Sequence, residues 1–268
     1  MPNQKKNFAL TLSYNGNSYL GWQIQKNGVT VQGTLADAIA KKTGEQTEIV
    51  GCSRTDAGVH ALSYVCNFKS GTAIPAEKMP LALNTALPRD IRVQSCTIVD
   101  DDFHARFSAE SKTYIYKVYT DSISNPFLTG FAYHFPRETD VSAMQRAAEH
   151  FIGTHDFSAF VSAGSSHKTT VRTVTALSVS RKDGLIELEI TADAYLYNMV
   201  RIIAGTLLYT GIGRINPTDI PSVILSGDRK HSGITAGPEG LYLARVDYGD
   251  GFGGRKGRRS RYERKKEE

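Results

Sequence analysis

Apolar and polar residues alternate in several short stretches of the first part of the chain, which predicts half-buried β-strands. The alternation covers residues 8–14, 62–68 and 91–99, and a period of two residues is that of a strand with one buried face. Between these stretches, apolar residues recur at helical spacing over 31–39, and a short apolar segment over 78–87 ends before a proline. Strands and helices therefore alternate in this part.

The second part of the chain repeats this mixture of elements. Alternating stretches at 112–119, 171–181 and 185–191 predict strands, and Lys182-Asp183-Gly184 predicts a hairpin between the last two. Asp140 is positioned to cap a helix that ends at Gly153, and a second helix opens near 194–201. A strand over 238–248 closes the pattern, and 19–25 is predicted to be an edge strand with a packed tryptophan.

Composition indicates a globular protein with a local concentration of positive charge. Of the 268 residues, 40% are hydrophobic and 22% charged, and no run of about 18 apolar residues would span a membrane. The whole chain has a net charge of +5, and residues 249–268 alone hold eight basic and four acidic residues. The rest of the chain is therefore nearly neutral. It can bind nucleic acid only through a local basic face. Three widely spaced cysteines fit a reducing compartment, and we expect a cytoplasmic protein.

The stretch with the clearest chemical content is Gly51-Cys52-Ser53-Arg54-Thr55-Asp56-Ala57-Gly58-Val59-His60-Ala61, a polar loop that leads into an alternating strand. Two glycines mark its turns, and a carboxylate in such a loop is fixed in space yet accessible to a ligand. The alternative is an Asx-turn, in which Asp56 only bonds its own backbone. Neither C-x-x-C nor another zinc-binding spacing is present, so no metal site is predicted.

Three further strings combine polar and aromatic residues. Phe103-His104-Ala105-Arg106-Phe107-Ser108-Ala109 alternates them as surfaces that stack bases do, and Lys112-Thr113-Tyr114-Ile115-Tyr116 follows at once. The third is Ala194-Tyr195-Leu196-Tyr197-Asn198-Met199-Val200-Arg201. From pattern alone, the tyrosines could be packing residues and the arginine a solvated helix residue.

The string Arg-Thr-Asp-Ala-Gly-Val-His-Ala resembles the signature of the tRNA pseudouridine synthase A family. The three strings above and the closing Gly-Leu-Tyr-Leu-Ala-Arg-Val-Asp-Tyr segment also resemble that family, in its order, and the resemblance covers roughly residues 7–248. The basic tail lies outside it. An eight-residue match with acid, base and glycine in place is far more specific than a lone glycine pattern.

The resemblance implies an α+β fold of two similar α/β halves with mostly antiparallel sheets flanked by helices, and an active-site cleft between them. We expect residues 1–110 to form the N-terminal half with the aspartate loop, 111–248 the C-terminal half, and 249–268 a disordered basic tail. The tail is either a solvated end or a flexible arm that contacts tRNA phosphates.

The resemblance also implies a function: isomerisation of uridine to pseudouridine at positions 38–40 of the tRNA anticodon stem-loop, by a homodimer that needs no cofactor. It nominates Asp56, Tyr114 and Arg201 as catalytic. It further implies that Arg54, Thr55, His60, Arg106 and Leu241 bind the substrate.

Two other classes of protein compete with this hypothesis. The first is a catalytically idle RNA-binding or RNA-folding protein on the same scaffold, which would not require Asp56, Tyr114 and Arg201 together. The second is another base-modifying enzyme, such as a zinc deaminase, and the missing ligand spacing disfavours it.

Overall fold

The strands of this protein form one continuous sheet. The structure is a computed structural model that describes residues 5–164 and 168–249. Within these residues the sheet has ten strands: β1 Lys6–Tyr14, β2 Val50–Gly51, β3 His60–Ser70, β4 Ile91–Val99, β5 Ser111–Tyr119, β6 Tyr133–His134, β7 Gly153–Asp156, β8 Val171–Lys182, β9 Leu185–Ala192 and β10 Leu241–Asp247.

Five α-helices are present in the same described ranges: α1 Val31–Thr43, α2 Met79–Asn84, α3 Val141–Glu149, α4 Met199–Gly211 and α5 Ile220–Ser226. The side chain of Thr30 caps α1, and the carboxylate of Asp140 caps α3 by accepting from the backbone N–H groups of Ser142 and Ala143, as predicted. None of these helices has the length and apolar character that crossing a membrane would require.

The order of the main strands, β4-β1-β3-β10-β5-β9-β8-β7, puts the last strand of the chain at the middle of the sheet. Strand β10 pairs in parallel with β3 and antiparallel with β5. Most other neighbours are antiparallel, which confirms the predicted α+β class with a mostly antiparallel sheet. Because β10 pairs with both strands, the start of β3 and the centre of β5 lie close together.

Apolar residues of the sheet and helices form one core. The alternation seen in the sequence is realised in β9, where every second residue is buried. In β1 it holds only from Leu10 onward, and the ring of Phe8 stacks on that of Phe68 in β3 at 5.6 Å. Helix α4 is buried almost all round, which fits its place among the sheet, α3 and the segments after it.

Some boundaries differ from the predictions. Residues 19–24 form bends and irregular backbone rather than an edge strand, although Trp22 is packed as expected. Backbone groups here bond to the aspartate loop and to α1 instead of to a strand. Helix α3 ends at Glu149, and Gly153 begins β7. The predicted disorder of 249–268 falls almost wholly outside the described residues.

Candidate active site

A cleft of about 990 Å³ opens beside the central strands and collects almost all of the predicted site residues. Its walls come from the loop before β3, the segment before β5, β5 itself and the start of α4. Of the eight residues nominated from the sequence, only His60 is not part of the lining. The lining residues among them are Arg54, Thr55, Asp56, Arg106, Tyr114, Arg201 and Leu241.

The loop that carries Asp56 is fixed by main-chain contacts at both ends. The N–H of Cys52 donates to the carbonyl of Val65 in β3 at 2.9 Å, and the N–H of Trp22 donates to the carbonyl of Thr55 at 3.1 Å. The N–H of Val59 donates to the Asp56 carbonyl at 3.1 Å, which closes a tight turn. The position of the carboxylate is therefore set by backbone geometry.

The two glycines of this loop serve different needs. Gly58 has φ of +79°, a left-handed conformation that the turn after Asp56 requires and that few other residues adopt readily. Gly51 instead allows a close approach, because a β-carbon there would lie 2.2 Å from the Tyr64 hydroxyl and 2.5 Å from the Trp22 indole nitrogen. The sequence predicted turns at both positions, and this is wrong for Gly51.

The carboxylate of Asp56 pairs with the guanidinium of Arg201. Its Oδ2 lies 3.5 Å from Nη1, and the exposed fractions of the two side chains are 33% and 15%. Burial raises the pKa of the Asp56 carboxyl above its ordinary value, and the positive charge of Arg201 opposes that shift. Asp56 is thus a partly desolvated anion with one cationic partner and one side open to the cleft.

Arg201 is held in place by groups from two segments. Its Nε donates to the Ala236 carbonyl at 2.7 Å, and its Nη1 donates to Oδ1 of Asn198 at 2.7 Å. Asn198 precedes α4 in a left-handed conformation with φ of 61°, which asparagine tolerates better than most residues. These bonds matter because Arg201 lies in the first turn of α4, where the helix dipole disfavours positive charge.

Tyr114 stands on β5 at the side of the cleft. Its ring meets that of Tyr195 edge-on, at 4.9 Å and 79°, and its hydroxyl lies 3.4 Å from that of Ser53 in the Asp56 loop. The Tyr195 hydroxyl in turn bonds the carbonyls of Lys112 and Ile190. Burial raises the pKa of Tyr114 strongly, so its phenol is protonated at neutral pH.

The cleft is flanked by exposed cationic and aromatic groups. Arg54 projects into solvent from the Asp56 loop. On the other side, the guanidinium of Arg106 lies 5.6 Å from the ring centre of Phe107, which is 76% exposed and also stacks with His104 at 4.3 Å. Exposed aromatic and cationic faces of this kind suit the stacking of unpaired bases.

Buried amides anchor this aromatic segment to the sheet. Asn7 in β1 donates to the carbonyl of Phe103 at 3.0 Å, and the N–H of Ala105 donates to the side-chain oxygen of Asn67 in β3 at 2.9 Å. The hydroxyl of Tyr248 donates to the Ala105 carbonyl at 2.7 Å. The Arg106–Phe107 rim is therefore attached to rigid elements.

Two of the predicted substrate-binding residues have internal partners. The hydroxyl of Thr55 bonds that of Tyr14 at 2.8 Å in the protein interior. The imidazole of His60 is 2% exposed, accepts from the Gly16 N–H at 3.1 Å, and stacks on Tyr242 at 4.5 Å. The structure does not bring His60 to the cleft.

Sequence reasoning missed several residues that line the cleft: Lys112, Phe107, Tyr195, Asn198 and Ser53. For Lys112 a signal was available, since it precedes Tyr114 by two positions on an alternating strand and so shares its face. No such signal marks Asn198, whose role depends on the contact with Arg201. In residues 5–164 and 168–249, no group of three or more histidine, cysteine or acidic side chains is arranged to hold a metal ion.

Comparison with known proteins gives one consistent result. The family model described as tRNA pseudouridine synthase matches residues 11–108 and 147–249, more than half of the chain. A protein named tRNA pseudouridine synthase A from Thermoanaerobacter sp. (strain X514) is 47% identical over 91% of this chain and 100% of its own length.

Two more relatives agree with this match. A protein of the same name from Acetivibrio thermocellus is 49% identical, with 91% of this chain and all of the relative covered. A Clostridium tetani protein named tRNA pseudouridine synthase A 2 is 43% identical over 91% of this chain and 99% of the relative. The chain belongs to the tRNA pseudouridine synthase family of isomerases, as its sequence strings indicated.

Proposed function

We propose that this protein isomerises uridine to pseudouridine in tRNA, at positions 38–40 of the anticodon stem-loop, with Asp56 as the reacting carboxylate. The observation that carries the proposal is the Asp56–Arg201 pair, 3.5 Å apart in a cleft that also contains Tyr114. The names of the relatives supply tRNA as the substrate. The anticodon positions come from the sequence resemblance.

The reaction itself explains why a single carboxylate is sufficient. The bond from N1 of uracil to C1′ of ribose breaks, C5 bonds to C1′, and the proton that leaves C5 is balanced by one gained at N1. Atoms and electrons are conserved, so we expect no cofactor. A base inside a stem is out of reach, and the nucleotide must therefore turn out of the helix into the cleft.

Asp56 is suited to act at the junction of ribose and base. An ionised carboxylate can serve there as a nucleophile or a base, and exclusion of water by the bound nucleotide would increase its reactivity. Burial alone would favour the protonated form, and the Arg201 guanidinium favours the anion. Arg201 therefore keeps Asp56 ionised and fixes its direction.

The other cleft residues fit supporting roles. Tyr114 presents a neutral ring that can stack on the uracil; removing the C5 proton would require this phenol first to lose its own proton. Leu241 contributes an apolar wall. The exposed Arg54 can fill the space that the flipped nucleotide leaves, and Arg106 with Phe107 can hold neighbouring nucleotides.

The homodimer and the cytoplasmic location are parts of the same proposal. Ile123 and Phe127 are 81% and 89% exposed on the segment between β5 and β6, and large apolar side chains in this state suit contact with a second copy. The three free cysteines suit a reducing compartment. Light scattering that gives the mass of one chain at micromolar concentration would contradict the dimer.

Tritium release from tRNA that carries 5-tritiated uridine tests the activity and the position together. We expect release from transcripts with uridine at 38, 39 or 40, and none when these positions hold cytidine. Release that persists in the cytidine transcript would place the target elsewhere in the tRNA. Tight binding with no release from any transcript would favour the idle RNA-binding alternative.

A further inference from the structure

Lys112 is the only lysine or arginine among the described residues whose side chain belongs to the buried interior. It is 8% exposed, yet it lines the cleft, two residues before Tyr114 on the same face of β5. Lysine is rarely buried to this extent, and the surrounding protein removes part of the hydration of an ammonium that still reaches the cleft. The position of this charge therefore requires an explanation that packing does not give.

Among the described residues, no carboxylate lies within ion-pair distance of the Lys112 ammonium. Arg201 is paired with Asp56, and Lys117, further along β5, lies 3.8 Å from the carboxylate of Glu187. Lys112 has no ion pair and no hydrogen bond from its ammonium group in the same parts of the chain. Of the partly buried basic side chains in and beside the cleft, it is the one left without a partner.

The charged and titratable neighbours of Lys112 offset the desolvation of its ammonium only in part, since Asp193 attracts the charge without forming an ion pair with it. Asp193 is the acid on the same side of the cleft, but its Oδ1 accepts from the N–H groups of Thr173 and Ala194 at 3.1 and 2.6 Å. Burial raises the pKa of the Cys52 thiol to about 12, so it offers no thiolate. Arg106 adds positive charge nearby, and burial lowers the pKa of the Lys112 ammonium.

We propose that Lys112 binds a phosphate of the substrate RNA strand inside the cleft, next to the nucleotide that enters it. A full negative charge compensates a desolvated ammonium far better than a neutral carbonyl does, which favours phosphate over the uracil oxygens. Because Lys112 and Tyr114 share one face of β5, a phosphate on Lys112 would hold the strand in register with the reacting base. The inference rests on the proposed function.

This assignment has a consequence for the stability of the protein without RNA. A partly desolvated binding charge that has no ion pair destabilises the fold until the ligand arrives, as functional residues often do. Replacing Lys112 by methionine keeps the length of the side chain and removes the charge. We expect Lys112→Met to raise Tm while it weakens RNA binding, and a lysine that serves only the fold would show the opposite change in Tm.

The experiment measures Kd for a tRNA transcript between 50 and 400 mM KCl, in an Asp56→Asn background so that the RNA is not converted. We expect Lys112→Met to reduce the slope of log K against log salt by about 0.8, the value for one phosphate contact. The same relation gives a loss of about sixfold in affinity at 0.1 M KCl. Lys112→Arg should restore the slope.

Lys69→Gln is the matched control. Lys69 lies on the exposed end of β3, 50% exposed and 3.5 Å from Asp101, and it is not part of the cleft. Its replacement removes the same unit of charge and should leave slope and affinity within error. An equal decrease of the slope in Lys69→Gln would show a general charge effect and overturn the assignment.

The remaining outcomes separate the two proposals. Weaker binding with an unchanged slope would mean that Lys112 contacts a base or sugar oxygen, and unchanged binding would mean that it contacts no RNA; each overturns the phosphate assignment. In both cases the native protein, which has both Lys112 and Asp56, would still release tritium from tRNA. If the native protein neither binds tRNA nor releases tritium, the result contradicts the proposed function itself, and the Lys112 assignment falls with it.

Discussion

Asp56 and His60 lie four residues apart in one sequence motif, yet the structure uses them in different ways. A third of the Asp56 side chain is exposed at the cleft, and its carboxylate pairs with Arg201, which is distant in the sequence. His60 begins β3, where its register with Tyr242 in β10 turns the imidazole into the interior. The turn at Gly58 separates a residue placed for chemistry from one placed for the fold.

The difference shows that membership in a motif does not fix the role of a residue. His60 stacks on Tyr242 and Phe131, and so ties β3 to β10 and to the segment before β6. That junction joins the two groups of strands on which the cleft depends. A substitution at His60 should therefore affect stability, whereas a substitution at Asp56 should affect turnover.

Asp56→Asn gives the largest expected effect. An amide is a far poorer nucleophile or base than a carboxylate, so we expect turnover to fall by roughly a thousandfold or more. Tritium release under single-turnover conditions measures this, with tRNA Kd recorded alongside. Asp101→Asn, on an exposed carboxylate outside the cleft, is the control and should keep full turnover. Comparable turnover in Asp56→Asn and native protein would remove Asp56 from the mechanism.

The same variant makes a prediction about stability. Burial raises the folded-state pKa of Asp56 above the unfolded value of about 3.9, so ionisation at neutral pH destabilises the fold. Asp56→Asn should have a Tm at pH 7 that equals or exceeds that of the native protein. The difference should disappear below about pH 4, where the carboxyl is protonated in both states. A lower Tm at pH 7 would show that the ion pair with Arg201 outweighs the burial.

His60→Ala should have the next largest effect, on folding. It removes a buried stacked ring, and we expect a loss of about 2–3 kcal/mol in the free energy of unfolding. At 15 °C, where the variant remains folded, kcat should stay within about threefold of the native value. A loss of kcat by a hundredfold or more in folded protein would place His60 with Asp56 in the chemistry.

His60 also gives a pH dependence with a defined sign. Burial lowers its folded-state pKa below the unfolded value of about 6.5, so its contribution to stability is complete above that pH. The contribution decreases as the pH falls through the folded-state pKa. We expect the native Tm to decline from about pH 6.5 downward more steeply than that of His60→Phe, which keeps a stacking ring and cannot be protonated. Parallel curves would show that His60 titrates alike in both states.

Local patterns in the sequence predicted much of the fold, and contacts between distant segments account for the rest. The extent of β4 and the Asp140 cap follow from apolar spacing and capping chemistry, which act within a few residues. The place of β10 between β3 and β5 does not, because it depends on pairing across more than a hundred residues. For the same reason, pattern alone could not assign Arg201 to the site.

Asn198→Ala should have a smaller effect on turnover. It removes the acceptor 2.7 Å from Nη1 of Arg201 and puts alanine into a left-handed conformation, so the guanidinium loses one of its fixed partners. We expect a decrease of about tenfold in kcat, or roughly 1.4 kcal/mol, with tRNA Kd little changed. Asn198→Asp keeps an oxygen acceptor and should retain most of the activity. Equal activity in the alanine and native proteins would show that Ala236 alone positions Arg201.

Thr55→Val should have the smallest effect. It tests whether Thr55 acts in the cleft, as Asp56 does, or stabilises the interior, as His60 does. Thr55 precedes Asp56, but its hydroxyl bonds the buried Tyr14 hydroxyl at 2.8 Å. Valine has the same shape and leaves that hydroxyl without its partner, which costs about 1 kcal/mol of unfolding free energy. Urea denaturation should show this loss, and Thr55→Ser, which keeps the hydroxyl, should lose less.

The turnover of Thr55→Val shows whether Thr55 contacts the substrate or only stabilises the fold. Main-chain bonds hold the loop, since the N–H of Trp22 donates to the Thr55 carbonyl whatever the side chain is. The Asp56 carboxylate should therefore stay in place, and kcat should remain within about twofold of the native value. If kcat falls tenfold while the urea midpoint is unchanged, Thr55 contacts the substrate as Asp56 does. The residues of this motif that serve the fold would then be only those after Gly58, such as His60.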